Sequence, residues 1–441
     1  MKTCCHARLK IFAIGVILLF SASFLVAGGQ QENSSKSETI TLLTHPVLYT
    51  SGTGGDEGLI PKFEQETGCK VEVVTAPLEE ILEKSLIDFI SGTGSYDIFT
   101  YNDRSMHSGL AKYLLPLNDY VTDVEESYKF EDILPSTIQV CTFNDDLYGI
   151  PFRYGCFMLY YRKDILNRYG VEVPQDYEQL MVACDKITTG LRADGIDDVY
   201  AIVTGGEPGH AIFEDFLTWF VGHGASIADA QGNSLLNSEA AIKSLQDYVR
   251  PYQNGWSSPD TPGMTRDGVT TAMQKGKAAM ALIYGGYWGL ITNPEQSEFY
   301  DKFGWDLIPS SPGVKRGRTN FGGWQFIINK NSKNPEKAWE LVKYLTNPVA
   351  AKYVALNHAN APVRKSVYND PEYLSRYPLA KDWSRAFEAS DLAIPGGHPK
   401  IAEIMDHIGY EVADALVGNK TPREAMLTAH QKVTEIFAQT E

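Results

Sequence analysis

The sequence predicts an α/β fold with a mostly parallel sheet, and three observations point to it. Short apolar or alternating runs take turns with amphipathic stretches, the connections between them are short, and glycine or proline marks most of the ends. Ile40 to Leu43 is the first apolar run, and the glycine-rich segment Ser51 to Gly58 reads as the loop after it. A helix is expected over Leu59 to Thr67, with Asp56 as its candidate cap and Gly68 as its stop. Lys70 to Val74 alternates polar and apolar residues, as a strand does. Leu78 to Ile90 then sets Ile81, Leu82, Leu86, Phe89 and Ile90 on one helical stripe. Gly92 to Ser95 turns the chain into a third strand, Tyr96 to Thr100. A β-α-β-α-β order of this kind implies parallel strands joined by right-handed crossovers.

The same grammar continues to the end of the chain. Ser238 can cap a helix carrying Ile242, Leu245 and Val249. Asn334-Pro335 opens a helix with Ala338, Leu341, Val342 and Leu345 on one face, and Asn347-Pro348 closes it. Thr421-Pro422-Arg423-Glu424 has the form of a capping box with proline at the first helical position. At roughly 150 residues per domain, 441 residues make two or three folded units. No low-complexity linker separates them, so short crossings must join any two lobes. Candidates are Ile150 to Arg153, Ile308 to Ser310 and Asn347-Pro348.

Charge narrows the range of partners. Lys and Arg number 39 against 55 Asp and Glu, a net charge of -16, which repels phosphate backbones and argues against nucleic acid. Lys2, Arg8 and Lys10 precede a charge-free stretch from Ile11 to Ala27, and small residues follow it. That is the layout of an export signal over residues 1–27. Cys4 and Cys5 would leave with the signal, and Cys184 falls on an apolar helical face with Leu180, Ala183 and Ile187. Spacing alone does not pair Cys69, Cys141, Cys156 and Cys184.

Signatures of catalysis are missing from the pattern. There is no G-x-S-x-G elbow and no H-E-x-x-H, and neither glycine stretch completes a phosphate-binding motif. The nine histidines lack metal-ligand spacing, so no catalytic residue, metal or cofactor is assigned. Polar and aromatic residues do cluster just beyond expected strands, where open α/β sheets bind ligands. Asn102, Asp103 and Arg104 follow the third strand. Gly286, Tyr287 and Trp288 follow the apolar run Ala278 to Ile283, and Gly323-Trp324 precedes the strand Gln325 to Ile328. Flat rings cover the apolar faces of a sugar, while carboxylates, Arg and Asn satisfy its hydroxyls.

An ordered series of short motifs accompanies these clusters. It runs through Phe63-Glu64-x-x-Thr67-Gly68, Tyr96-Asp97-Ile98-Phe99 and Leu115-Pro116-Leu117. Gly149-Ile150-Pro151 leads into Leu159-Tyr160-Tyr161-Arg162-Lys163-Asp164, and Gly276-Lys277-Ala278-Ala279-Met280 and Ala338-Trp339-x-x-Val342-x-Tyr344-Leu345-Thr346 complete it. Over roughly residues 38 to 437 the chain resembles the family 1 extracellular solute-binding proteins of ABC importers, which include the maltose binder. The resemblance implies a two-lobed periplasmic binding-protein fold of class II type, closing on a carbohydrate (a mono- or disaccharide) and delivering it to membrane permease subunits. A polyol or glycerol phosphate is the alternative of the same type, and an exported carbohydrate-active enzyme the alternative of a different class. A monomer is expected. The implied lobes are 38–152 with 310–348, and 153–309 with 349–441.

By motif, Asp103 and Arg104 match an acid–arginine pair that holds hydroxyls. Glu214, Phe216 and Trp219 match a stretch lining the other lobe, and Tyr287 matches a stacking ring. Arg153 and Tyr154 fall on the first crossing. Thr44 and His45, after the first strand, and Arg364 complete the candidate ligand set. Met405 stands where the maltose binder has another stacking aromatic. Gly28 stands in place of a lipobox cysteine after Leu25-Val26-Ala27, so a free periplasmic form is expected.

Overall fold

The computed structural model describes residues 39–439, apart from 230, 359–360, 391 and 394–396; the expected export signal lies outside the described residues. Strands β1 (Thr39–Thr44), β2 (Lys70–Thr75) and β3 (Ile98–Asn102) form within two residues of their expected places. β1 runs parallel to both others, because helices Leu59–Thr67 and Leu78–Ser91 carry the chain back between them.

Three local expectations change. Part of the expected loop belongs to a helix, Pro46–Thr53: His45 caps it by accepting the Val47 N–H, and Gly54 ends it at φ 86°, a conformation that suits glycine. Asp56 does not cap Leu59–Thr67. Gly58 holds that position, and Asp56 accepts a hydrogen bond from the Tyr49 hydroxyl at 2.6 Å instead. On Leu78–Ser91 the stripe is narrower than expected, with Ile81 and Phe89 buried but Leu86 and Ile90 exposed. Asp88 is buried on that helix because it accepts from the Ser95 and Tyr96 N–H groups and from Asn329 Nδ2. The caps at Ser238 and Thr421 form as expected, the latter as a full capping box.

A hairpin of β4 (Thr142–Phe143) and β5 (Asp146–Leu147) leads into β6 (Ile150–Arg162). Then come β7 (Tyr200–Val203), β8 (Ala278–Tyr284), β9 (Phe303–Asp306) and β10 (Phe321–Ile328). The near half of β6, Ile150 to Cys156, pairs antiparallel with β10. Its far half, from Phe157, pairs antiparallel with β8 and β9. β10 also lies antiparallel to β3, and β7 parallel to β8. The order is therefore β2-β1-β3-β10-β6-β8-β7, with β9 beside the far half of β6. Parallel pairs occupy the two ends; the strands that join them are antiparallel.

Two apolar cores flank this sheet. The first gathers Ile40, Phe63, Phe99, Ile150 and Ile327, and the second Phe157, Leu180, Phe216, Leu245 and Ile408. Helices Pro348–Asn357 and Ala380–Ala389 join the first core through Ala350, Val354 and Phe387, and only Ile401–Leu416 and Pro422–Ala438 pack in the second. Near the expected crossing, Leu307 belongs to the first core and Ile308 to the second, and pairing with the near half of β6 resumes on β10 at Phe321. Prolines mark where elements end, but not which core the next one joins. Cys69, Cys141, Cys156 and Cys184 are all buried.

Gln325 sits fully buried where the halves meet. Its Oε1 accepts from the Tyr154 hydroxyl at 2.6 Å and its Nε2 donates to the Asn102 carbonyl at 2.9 Å, tying β6, β10 and β3 together. Gln325→Leu leaves two buried polar groups without partners, each costing about 1–3 kcal/mol. Urea unfolding should show a loss of at least ~2 kcal/mol. A change under about 0.5 kcal/mol, ordinary for surface substitutions, would contradict this role.

Candidate ligand-binding cleft

Strand alternation decides which side chains reach the cleft. Arg153 pairs with Trp324, Gly155 with Gly322, and Trp324 with Asn102 on the other neighbour. Directly opposed residues share a face, and these five line a cleft of about 590 Å³. The register shift between Trp324 and Gln325 leaves Phe152 as an extra residue on β6, a bulge of the kind that re-aims side chains. Tyr154 and Gln325 fall on the opposite face and are buried. Other elements close the walls: Val47 and Ser51 from the first helix, Asp103 and Arg104 after β3, and Glu214 and Arg266 from helices His210–Gly222 and Arg266–Gln274. Tyr284, Gly286 and Tyr287 come from the end of β8, and His358 and Ala361 from beyond Pro348–Asn357. The volume lies in the usual range for small-molecule sites, roughly 300–1,000 Å³.

Gly323 has a specific reason to be glycine. A Cβ there would lie 2.1 Å from the Arg153 carbonyl oxygen. With none, the backbone comes close enough for the Gly323 N–H to donate to Asp103 Oδ1 at 3.0 Å. Burial raises the Asp103 carboxyl above its ordinary value, against the opposing pull of Arg104 and of that N–H.

Glu214 is the electrostatic centre of the cleft. It is 4% exposed, and its two oxygens are divided between Arg104 and Arg266. His210 Nε2 lies 3.2 Å from the Arg104-paired oxygen and 3.0 Å from Arg104 Nη1. Burial, reinforced by Arg104, pushes the His210 pKa down to about 4, so this ring is neutral beside the pair at neutral pH. Next in sequence, Asp215 is buried behind the cleft, accepting from the Gly205 N–H at 3.0 Å with Arg266 3.7 Å away. Burial pushes its pKa up to about 6, partly offset by Arg266.

Nine of the expected ligand residues thus come together: Asn102, Asp103, Arg104, Arg153, Glu214, Gly286, Tyr287, Gly323 and Trp324. The others do not line the cleft. Phe216 and Trp219 turn into the second core, where Trp219 stacks on Tyr177 at 5.1 Å. They share a helix with Glu214 but not its face. Trp288 packs on Tyr160 and Trp305. Thr44 is buried at the end of β1, accepting from the Thr100 hydroxyl of β3. Arg364 is fully buried, donating to the Thr346 and Lys129 carbonyls. His45 stands outside the lining, its ring 6.1 Å from that of Trp324. Met405 lines an adjoining, largely apolar cavity with Phe213, Phe321 and Ile401, which shares Asp103 and Arg104 with the cleft. Sequence reasoning did not single out Arg266, Ser51 or His358, which no short-range pattern distinguishes. Tyr284 and Gly322 were within reach, since they stand just before Gly286 to Trp288 and Gly323-Trp324 in the sequence.

An α/β molecule with a polar, ring-lined cleft where the two halves of its sheet join has the architecture of a two-lobed solute binder. A profile of the bacterial extracellular solute-binding proteins matches residues 49–352, and the chain belongs to that family. It is 26% identical over 383 residues to a probable ABC transporter-binding protein of Deinococcus radiodurans, covering 85% of this chain and 88% of the relative. An ABC transporter solute-binding protein from Agrobacterium radiobacter K84, solved in complex with ribitol, matches with a TM-score of 0.75 at 25% identity, over 90% of this chain and 98% of its own. One from Agrobacterium vitis S4 with bound D-mannitol matches with a TM-score of 0.71 at 25% identity, over 91% and 99%. Among the described residues no helix is long and apolar enough to cross a membrane, and no group of three or more His, Cys, Asp or Glu could hold a metal ion.

The raised Asp215 pKa has a consequence for stability. A carboxyl that holds its proton more tightly when folded contributes stability below its unfolded pKa and loses it as pH rises through about 6. Asp215→Asn keeps an acceptor for Gly205 and does not ionise. Its stability relative to wild type should therefore grow by roughly 2 kcal/mol between pH 4 and pH 7, most of the span set by about two pKa units. Urea unfolding of both proteins at the two pH values checks this; a difference that stays flat would contradict it.

Proposed function

We propose that this protein is the extracytoplasmic receptor of an ABC importer, binding a small carbohydrate or polyol in the cleft and handing it unchanged to membrane permease subunits. The observation that carries the reading is the arrangement of Trp324 and Tyr287 around one polar cleft. Trp324 comes from the strand joining the halves and Tyr287 from the turn after β8, with Asn102, Asp103, Arg104 and Glu214 between them. Two rings can cover the apolar faces of a polyhydroxylated solute, while the carboxylates and guanidiniums bond its hydroxyls. The polyol reading has its own support in the ribitol and D-mannitol held by the two similar structures.

A binder, not an enzyme, fits the electrostatics of the cleft. Both Glu214 oxygens are engaged by guanidiniums, which leaves this carboxylate poorly placed to move a proton. The lobes are placed at residues 39–156 with 321–389 and 157–320 with 401–438, divided where β6 passes from pairing with β10 to pairing with β8 and β9. The protein acts as a monomer, free in the periplasm because Gly28 replaces the lipobox cysteine, and it needs neither metal nor nucleotide to bind.

Thermal denaturation with mono- and disaccharides, polyols and amino acids tests the proposal. A ligand at 100 times its Kd should stabilise the protein by about 2.7 kcal/mol. Tyr287→Ala and Trp324→Ala should each weaken that ligand about tenfold or more, while isothermal titration returns the ligand unaltered. Stabilisation by amino acids alone would overturn the reading.

A further inference from the structure

The charges of the cleft do not balance. Three guanidiniums line it, from Arg104, Arg153 and Arg266, against two carboxylates, Asp103 and Glu214. Glu214 is shared by Arg104 and Arg266, and Arg266 also faces Asp215. Asp103 accepts from a backbone N–H, with Arg104 adjacent in sequence. Arg153 has no such partner: among the described residues no carboxylate lies within ion-pair distance of it. Its Nη1 donates to the Ser51 hydroxyl at 2.9 Å, a neutral acceptor that leaves the charge uncompensated.

The position makes that charge expensive. Arg153 is only partly exposed, on the strand joining the halves, with Trp324 opposite it on the same face. Burial with no neighbouring anion lowers its pKa. A guanidinium withdrawn from water without a counter-charge is destabilising unless an anion meets it. A second group lining the cleft is also unsatisfied, the His358 Nε2, which is buried without a hydrogen-bond partner. Around Arg153 the cleft thus offers a planar fork, a hydroxyl, a ring nitrogen and an aromatic face. Guanidinium forks match carboxylate and phosphate oxygens in two-point geometry.

We propose that the solute is an acidic polyhydroxy compound, a sugar acid or sugar phosphate, whose anionic group docks on Arg153 while its hydroxyls face Asp103, Asn102 and Glu214. The proposal rests on the reading of this cleft as a solute site and adds the charge of the solute to it. It makes Arg153 a specificity-determining residue.

Isothermal titration with matched probes tests it: ribitol, D-ribonate and D-ribose 5-phosphate, and the corresponding D-mannitol, D-mannonate and mannitol 1-phosphate. At least one acid should bind about tenfold or more tightly than its neutral counterpart, with affinity falling as NaCl is raised. Carboxylate and phosphate arms tell the two sources of charge apart. Arg153→Gln should abolish the preference for the acid, with the apo melting temperature reported alongside to confirm folding; the wild-type probe series stands by itself should that variant not fold. Neutral probes binding as tightly as the acids would overturn the inference and leave the sugar or polyol receptor intact. Binding of amino acids with no polyhydroxy probe bound would overturn both.

Discussion

The pairing of β6 with β10 is the constraint on which the rest of the molecule depends. One strand of thirteen residues gives its near half to one sheet region and its far half to the other, while β10 runs beside it in the opposite direction. The chain therefore crosses out and back through one hydrogen-bonded ribbon. Rotation of one half against the other needs dihedral changes in only a few residues there. The ribbon is also where side chains are fewest: Gly155 opposes Gly322, and Gly323 is pressed against Arg153 and Tyr154. Gln325 holds its register from beneath, bonded to strands on both sides.

Because Arg153 and Trp324 stand on this same ribbon, ligand contact and domain geometry are not separate properties. A solute resting on the two residues touches the elements that would turn. The opposing wall carries Glu214 and Arg266, and Arg104 reaches Glu214 from the end of β3. One carboxylate thus links groups from both halves of the sheet. A solute can bias the open–closed equilibrium only by its preference for one state, and a cleft whose polar groups come from both halves supplies such a preference.

Much of the fold was legible because its signals are local. Strand alternation at Lys70 to Val74, the αL glycine after Thr67 and the Thr421 capping box each sit within a few residues. The strand-end clusters at Asn102 to Arg104, Tyr287 and Trp324 were legible for the same reason. What escaped was facing and pairing. Tyr154 neighbours Arg153 but alternates to the buried side. Phe216 and Trp219 share a motif with Glu214, yet a period of 3.6 turns them into the second core. The union of Arg266 with Glu214 spans 52 residues and that of Tyr154 with Gln325 spans 171, distances at which no pattern along the chain carries information. A proline such as Pro348 signals where an element ends but not which core the next one joins.

Small-angle X-ray scattering, with and without a saturating solute confirmed by calorimetry in the same sample, tests most directly whether β6 and β10 form a working hinge. A hinge predicts a smaller radius of gyration on binding, with Gln325→Leu broadening the spread of conformations in the empty protein. An unchanged radius of gyration in the fully occupied sample would contradict it.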